Sequence, residues 1–153
     1  MKKIFSVLLA LVLLSCSVLC TAAEKAPLSR TKTTIEYLEN GDYIETVITW
    51  EESTTRVTIP GSKTVTHYNS NDEALWSLKV TGTFSYNGTT STCTSCSHST
   101  TVYSSAITIK SASSSRSGNT ATAKATATIT VGFVSVDHSL TAKLTCSANG
   151  VLS

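Results

Sequence analysis

The residues best suited to chemistry form one segment, Cys93-Thr94-Ser95-Cys96-Ser97-His98, joined by a distant Cys146. A Cys-x-x-Cys pair shuttles electrons when a lowered pKa favours the thiolate, and such sites usually lie at a helix N-terminus. No helical pattern follows Cys96. A zinc site would need a second Cys-x-x-Cys or His pair, and the chain has neither. We therefore predict no metal site and no cofactor here.

The other reactive side chains show no catalytic arrangement. His67 and His138 lie in strand patterns, where a satisfied or partly buried histidine is the ordinary interpretation. No Gly-x-Ser-x-Gly elbow marks a nucleophilic serine. The acidic pairs at positions 51–52 and 72–73 lie in predicted turns, where solvated charge is more typical than the opposed carboxyls of a glycosidase. We predict that the protein is not an enzyme and has no catalytic residue.

The N-terminus has the pattern of an export signal. Two lysines precede an apolar stretch over residues 4–14, and Thr21-Ala22-Ala23 supplies small residues for cleavage. The apolar stretch is short for a membrane-spanning helix. We expect residues 1–23 to be a signal peptide, and the mature protein to be secreted with no permanent membrane span. Leu13-Leu14-Ser15-Cys16 loosely resembles a lipobox, so a lipid anchor through Cys16 at the cell surface is the minor alternative.

The charge of the exported chain argues against nucleic-acid partners. Without Lys2 and Lys3, the twelve Lys and Arg residues become ten, against ten Asp and Glu. A neutral chain lacks the basic surface that nucleic acids require. Nine of the ten acids precede Trp76, and we expect the weakly basic second half to neutralise them across neighbouring strands.

The elements that must position these residues are β-strands. Residues 76–86 alternate apolar and polar side chains and end at Asn87-Gly88, a pair that suits a tight two-residue turn. A hairpin around Asn40-Gly41 is predicted over residues 33–50, and further strands over residues 56–59, 63–68, 100–110, 120–131 and 134–146. Pro60-Gly61 predicts a turn, and residues 111–119 predict a polar connection.

These patterns predict one all-β domain. No segment has a convincing helical period, so we expect seven to nine strands in a two-sheet antiparallel β-sandwich, Ig-like in architecture. A small closed β-barrel is the alternative. Residues 24–31 read as a flexible lead-in, and residues 32–153 as the single domain.

The facing of strand residues indicates which cysteines can meet. With a two-residue turn at Asn87-Gly88, Gly82 opposes Cys93, which then faces the apolar side. Cys146 lies on the apolar side of the last strand, and disulfides are the default in exported proteins. A buried bridge between Cys93 and Cys146 fits this facing. Cys96 is then a candidate free thiol, a site for joining another chain, or the partner of Cys146 if the strand slips.

A resemblance to other proteins covers nearly all of the mature chain. It is carried by three stretches: residues 64–94, Ser117-Gly118-Asn119-Thr120-Ala121-Thr122-Ala123 and Leu144-Thr145-Cys146-Ser147-Ala148-Asn149-Gly150. The chain resembles small uncharacterised secreted β-rich proteins of Gram-positive anaerobic bacteria. The resemblance implies an extracellular bacterial protein and a bridge between Cys93 and Cys146. Cys96 and His98 depart from it, and it implies no catalytic activity.

These observations predict a secreted, non-enzymatic binding or adhesion module for an extracellular protein or glycan. The predicted ligand-contact aromatics are Trp50, Tyr68 and Tyr103, which would form a platform for a glycan. A protein partner could instead add to a long, unprotected edge strand. The alternatives are an enzyme or enzyme inhibitor that uses the Cys93 to His98 loop, and a lipid-anchored structural protein of the envelope.

Overall fold

The computed structural model describes residues 28–52 and 57–153, and these residues form eight strands. The predicted signal peptide, Cys16 and the first part of the predicted lead-in lie outside the described residues. The strands are β1 (Leu28–Tyr37), β2 (Tyr43–Glu52), β3 (Thr58–Tyr68), β4 (Ala74–Tyr86), β5 (Ser91–Val102), β6 (Ile107–Ser117), β7 (Thr120–Val131) and β8 (Val134–Thr145). In the described part of the chain, no helix could span a membrane.

The strands form two antiparallel sheets, ordered β1-β2-β3-β4-β5 and β6-β7-β8. Each strand in a sheet pairs with the next one in sequence, so each sheet is a meander. The predicted all-β sandwich is confirmed. The alternative of a closed barrel is wrong, because the described strands stay in two separate sheets.

The core lies between β4 and the three-stranded sheet. Alternation along β4 buries Trp76, Leu78, Val80 and Phe84 completely, as its period of two requires. The alanines of β7, which packs across β4, are buried opposite these large side chains. The pairing of large with small side chains lets the sheets approach closely, and a Cβ placed on Gly82 would lie 3.1 Å from the Cβ of Ala121.

The predicted turn at Pro60-Gly61 is wrong, because β3 runs through both residues. The pairing between β2 and β3 starts at Gly61, so the missing N–H of Pro60 leaves no gap in that ladder. Gly61 is required because the side chain of Leu152 occupies the space where its Cβ would lie. Pro60-Gly61 therefore marks the place where Leu152 packs closely on β3.

Four other features differ from the prediction. The first strand begins at Leu28, inside the predicted lead-in. Residues 111–117, predicted as a connection, belong to β6, and the predicted strand over residues 100–110 is split between β5 and β6. The turn after β4 has four residues, because Tyr86 pairs with Ser91. Residues 111–117 were predicted as a connection because the serines in this segment do not alternate with apolar side chains.

The smaller sheet covers only part of the larger one. β8 packs across β3 and β4, and β6 lies beside β5. β1 lies two strands beyond β3 and is exposed along its whole length. β1 and β2 therefore extend past the free edge of β8.

Candidate functional site

The segment from Cys93 to His98 is part of strand β5, not a loop. Cys93 lies opposite Phe84, and Cys96 lies opposite Gly82. An irregularity in this ladder places one extra residue of β5 between them, so both thiols point inward. The exposed fraction of Cys93 is 4%, and Cys96 is half-buried. Cys93 thus lies on the predicted side, although the pairing that puts it there is different.

The predicted bridge between Cys93 and Cys146 is not formed in this structure, in which both residues are free thiols, as is Cys96. Burial raises the pKa of the Cys93 and Cys146 thiols, which disfavours the thiolate that redox chemistry requires. His98 is exposed and lies 2.9 Å from Ser114 Oγ through its Nδ1. The described residues contain no group of three or more potential metal ligands. Within the segment, Cys93 is therefore a buried thiol with a raised pKa, and Cys96 is a half-buried thiol.

The outer face of the larger sheet carries a line of tyrosines at one end. Tyr37 pairs with Tyr43, and Tyr43 pairs with Tyr68, so these side chains share one face. The ring centroids of Tyr37 and Tyr43 are 5.7 Å apart, and those of Tyr43 and Tyr68 are 4.8 Å apart with an interplanar angle of 5°. Tyr103 joins this face, because its hydroxyl lies 3.4 Å from Ser77 Oγ. We call these four residues the tyrosine row.

Stacking determines what the tyrosine row presents to solvent. The separation of Tyr43 and Tyr68 equals the spacing of neighbouring strands, so these rings stand upright on the sheet and cover one another's faces. The faces that these two rings turn toward each other are therefore closed to a ligand. The end members are the most open, since Tyr37 is 76% and Tyr103 56% exposed. The accessible ring surface of the row therefore lies mainly at its two ends.

Carboxylates lie close to the hydroxyl groups at the centre of the row. Tyr68 donates a hydrogen bond of 3.3 Å to Glu45 Oε2. Burial raises the pKa of Tyr68, and Glu45 adds to the effect. Burial and then Asp72 raise the pKa of Tyr43 in the same way. Both phenols consequently stay protonated and act as hydrogen-bond donors.

Two acidic loops border the row. The β1–β2 connection, residues 38–42, holds Glu39 and Asp42, and the β3–β4 connection, residues 69–73, holds Asp72 and Glu73. Neither connection contains Lys or Arg. Asn69 shapes the second loop, because its Oδ1 accepts hydrogen bonds from the backbone N–H groups of residues 71 and 73. This end of the sandwich therefore combines tyrosines with an excess of negative charge.

An apolar tip projects at the same end. The turn between β7 and β8 exposes Val131, Phe133 and Val134, and Phe133 is fully exposed. The backbone N–H of Thr130 donates a 2.8 Å bond to the carbonyl of Ala106, which ties the tip to the connection that carries Tyr103. Contiguous exposed apolar side chains of this kind mark interaction surfaces.

The structure brings two of the three predicted contact aromatics together. Tyr68 and Tyr103 lie in the tyrosine row, whereas Trp50 lies on the opposite face of the sheet and packs against the core. Tyr37 and Tyr43 were missed. Their signal was the hairpin around Asn40-Gly41, because a hairpin places the residues on either side of its loop next to each other.

A pair of histidines lies between the sheets near the same end, with His67 buried and His138 half-buried. His67 Nε2 donates to Asp42 Oδ2 at 3.0 Å, and its ring stacks on that of His138 with centroids 4.4 Å apart. The His138 ring also meets the ring of Trp76 edge-on at 6.1 Å. The predicted partial burial of these histidines agrees with this packing.

The histidine pair predicts a loss of stability in mild acid. Burial lowers the pKa of His138 from its ordinary 6.5, the charge of His67 lowers it further, and Asp42 partly opposes this. The unfolded chain therefore binds the proton more tightly, and the free energy of unfolding should fall as the pH drops below about 6.5. Urea unfolding between about pH 7.5 and pH 5.5 measures this change.

A matched pair of variants isolates the source of this pH dependence. His138→Gln should flatten the profile, whereas His98→Gln should leave it unchanged because His98 is exposed. Asp137, whose pKa is lowered by its bonds to Lys110 and Thr128, loses its contribution only in stronger acid. Equal slopes for His138→Gln and the parent protein would contradict the assignment.

Comparison of the chain with protein-family models, curated proteins and solved structures gives no match. The interpretation of the site therefore depends on its own geometry.

Proposed function

We propose that the protein is an exported, non-enzymatic binding module, and that the tyrosine row with its two acidic loops is its contact surface. The partner is a basic segment of an extracellular protein. The observation that carries the proposal is the line of four phenols on one face, bordered by loops that contain carboxylates and no Lys or Arg. Tyrosine offers a large amphipathic contact area at low entropic cost.

The stacking of the rings favours a protein partner over a glycan. A sugar ring packs on the open face of an aromatic ring, but Tyr43 and Tyr68 cover each other's faces. Lys and Arg side chains can instead contact the open face of Tyr37 while their charges approach the carboxylates. The exposed apolar tip at Phe133 supports the same choice, because apolar contacts are common in protein interfaces.

Export and a bridge between Cys93 and Cys146 are part of the same proposal. Both sulfurs are buried in one core cluster. The backbone N–H of Cys93 bonds to the carbonyl of Gly118 at 2.8 Å, and that of Cys146 bonds to the carbonyl of Asn119 at 3.0 Å. Consecutive residues of one turn therefore hold both cysteine backbones, which supports a link between them outside the cell.

Binding to defined peptides tests the contact surface. Fluorescence anisotropy with the mature domain should show binding of a lysine-rich peptide that weakens as salt is added, since exposed charges are screened. The same peptide with acetylated lysines should bind about ten-fold more weakly. The double variant Tyr37→Ser and Tyr103→Ser should lose a similar factor, because both rings are exposed members of the row.

The control is Val151→Ser, which changes an exposed apolar residue at the other end of the sandwich. This variant should bind like the parent protein. A glycan array supplies the opposing outcome: binding of a neutral glycan that the row variants abolish, with no binding of the basic peptide, would replace the protein partner by a sugar. Binding of neither probe would remove the proposal.

A further inference from the structure

The C-terminal residues already form a short added strand on β8. The backbone N–H of Thr145 donates to the carbonyl of Ser153 at 2.9 Å, and the reverse bond measures 3.0 Å. Leu152 lies opposite Cys146 and is 3% exposed. Its side chain packs on Gly61, in the space that a Cβ would need. The free edge of β8 thus accepts a strand whose inward side chain, Leu152, is buried against β3.

Most of this edge has no such partner. In an antiparallel ladder, residues alternately direct their N–H and C=O groups to one neighbour and to the other. Thr145 directs its N–H and C=O groups to Ser153, on the side of β8 away from β7. Lys143, Thr141 and Ser139 follow at intervals of two residues, so they direct their N–H and C=O groups to the same free edge. None of the three makes a backbone bond outside the ladder with β7 to any described residue. These unpaired donors and acceptors follow Thr145 along the same edge of β8, from Lys143 to Ser139.

A floor of side chains lies beside this edge. β1 and β2 extend past β8, and the inward face of β2 carries Ile44, Ile48 and Trp50. Charged side chains flank these three residues on the same face: Arg30, Lys32 and Glu36 of β1 and Lys63 of β3. We call this surface the ledge. Ile44 and Trp50 are only partly buried. An added strand along β8 would therefore have unpaired backbone groups on one side and a partly apolar floor below.

Positive charge is in excess on the ledge, which carries Arg30, Lys32 and Lys63 but only one described carboxylate, that of Glu36. Lys32 and Lys63 both pair with Ile48, one from each neighbouring strand, so they flank it on the same face. Lys63 is half-buried, and neither ammonium group has an ion pair or hydrogen bond with a described residue. Burial lowers the pKa of Lys63, and the charge of Lys32 lowers it further. A carboxylate placed between them would relieve this repulsion.

We propose that the free edge of β8 and the ledge bind an extended, acidic segment of a partner protein as an added strand, antiparallel to β8. Its backbone pairs with Ser139, Thr141 and Lys143, as Ser153 pairs with Thr145. Alternate side chains point down to the ledge, as Leu152 points down to Gly61, and one of them is a carboxylate between Lys32 and Lys63. This site is separate from the tyrosine row and recognises the opposite charge.

A short peptide series tests the proposal with the mature protein. The probe is a fluorescent peptide, Thr-Leu-Thr-Glu-Thr-Leu-Thr, whose Leu and Glu side chains share one face of an extended chain. Binding should protect the amides of Ser139, Thr141 and Lys143 from hydrogen exchange. The same peptide with Gln in place of Glu should bind about ten-fold more weakly.

Variants of the protein and of the peptide backbone provide the controls. Lys63→Gln should remove the difference between the Glu and Gln peptides, whereas Lys124→Gln, on the outer face of β7, should preserve it. N-methylation of the peptide amides that face β8 should abolish binding, and N-methylation of the alternate amides should not.

Four results would overturn the proposal. The first is equal binding of the Glu and Gln peptides to the parent protein. The second is equal binding of the two N-methylated peptides. The third is protection of amides on β1 without protection on β8. The fourth is a dimer, detected by sedimentation without peptide, whose formation protects β8, since the occupant would then be a second copy of this chain.

Discussion

Trp76→Ala is expected to lower the free energy of unfolding by about 3 to 5 kcal/mol. The Trp76 side chain is completely buried on β4, which lies beneath the three-stranded sheet. Its Nε1 has no hydrogen-bond partner among the described residues, so the expected loss comes from packing and from the cavity. Urea unfolding followed by circular dichroism measures the change.

Two further variants show whether burial is the cause. Trp76→Phe keeps an aromatic ring in the core and should lose much less stability than Trp76→Ala. Trp50→Ala removes a ring of the same size that is only partly buried, so its loss should also be smaller. Equal losses for Trp50→Ala and Trp76→Ala would contradict the position assigned to the core.

Alternation along single strands was enough to predict much of this core. Leu78 and Phe84 follow Trp76 at even spacing, and the structure buries all three. The same period assigned Cys146 to the apolar side of its strand, and that residue has no exposed surface. A period of two is a local property, so it could be recognised before any pairing was known.

Pairing between strands could not be predicted in the same way. Asn87-Gly88 suggested a two-residue turn, but four residues connect β4 to β5, because Asn87 N–H bonds to the carbonyl of Thr90 at 3.2 Å. Asn87 Oδ1 also accepts from the N–H groups of Thr89 and Thr90, which stabilises the wider turn. Together with the irregularity near Phe84, this turn makes Cys96 face inward. Such shifts depend on neighbours distant in sequence.

In the candidate site, too, local patterns could be predicted from the sequence and strand pairing could not. Tyr68 and Tyr103 were recognised as aromatic residues, but the row became visible only through the pairing of β1 with β2 and of β2 with β3. Trp50 has the same parity as Ile44 and Ile48, and this local signal already indicated an inward ring. The excess of acids in the first half was visible in the sequence, but their concentration around the row depends on the fold.

A bridge between Cys93 and Cys146 is expected to raise the free energy of unfolding of the mature protein by about 3 to 4 kcal/mol. The bridge would close a loop of about fifty residues and so restrict the unfolded chain. Urea unfolding of air-oxidised protein, compared with the same protein under a thiol reductant, measures the gain. Thiol titration of the oxidised, unfolded protein should find Cys96 alone among the three described cysteines.

Two cysteine variants show which thiol of β5 forms the bridge that provides this gain in stability. Cys93 and Cys96 differ in burial and in position on the strand, and only Cys93 is held beside Cys146 by the turn at Gly118 and Asn119. Cys96→Ala should therefore keep the difference between oxidised and reduced protein, and Cys93→Ala should lose it. The reverse result would show that Cys96 is the partner of Cys146. If neither variant changes the difference, the stabilisation has another source, because a single bridge to Cys146 must use one of these two thiols.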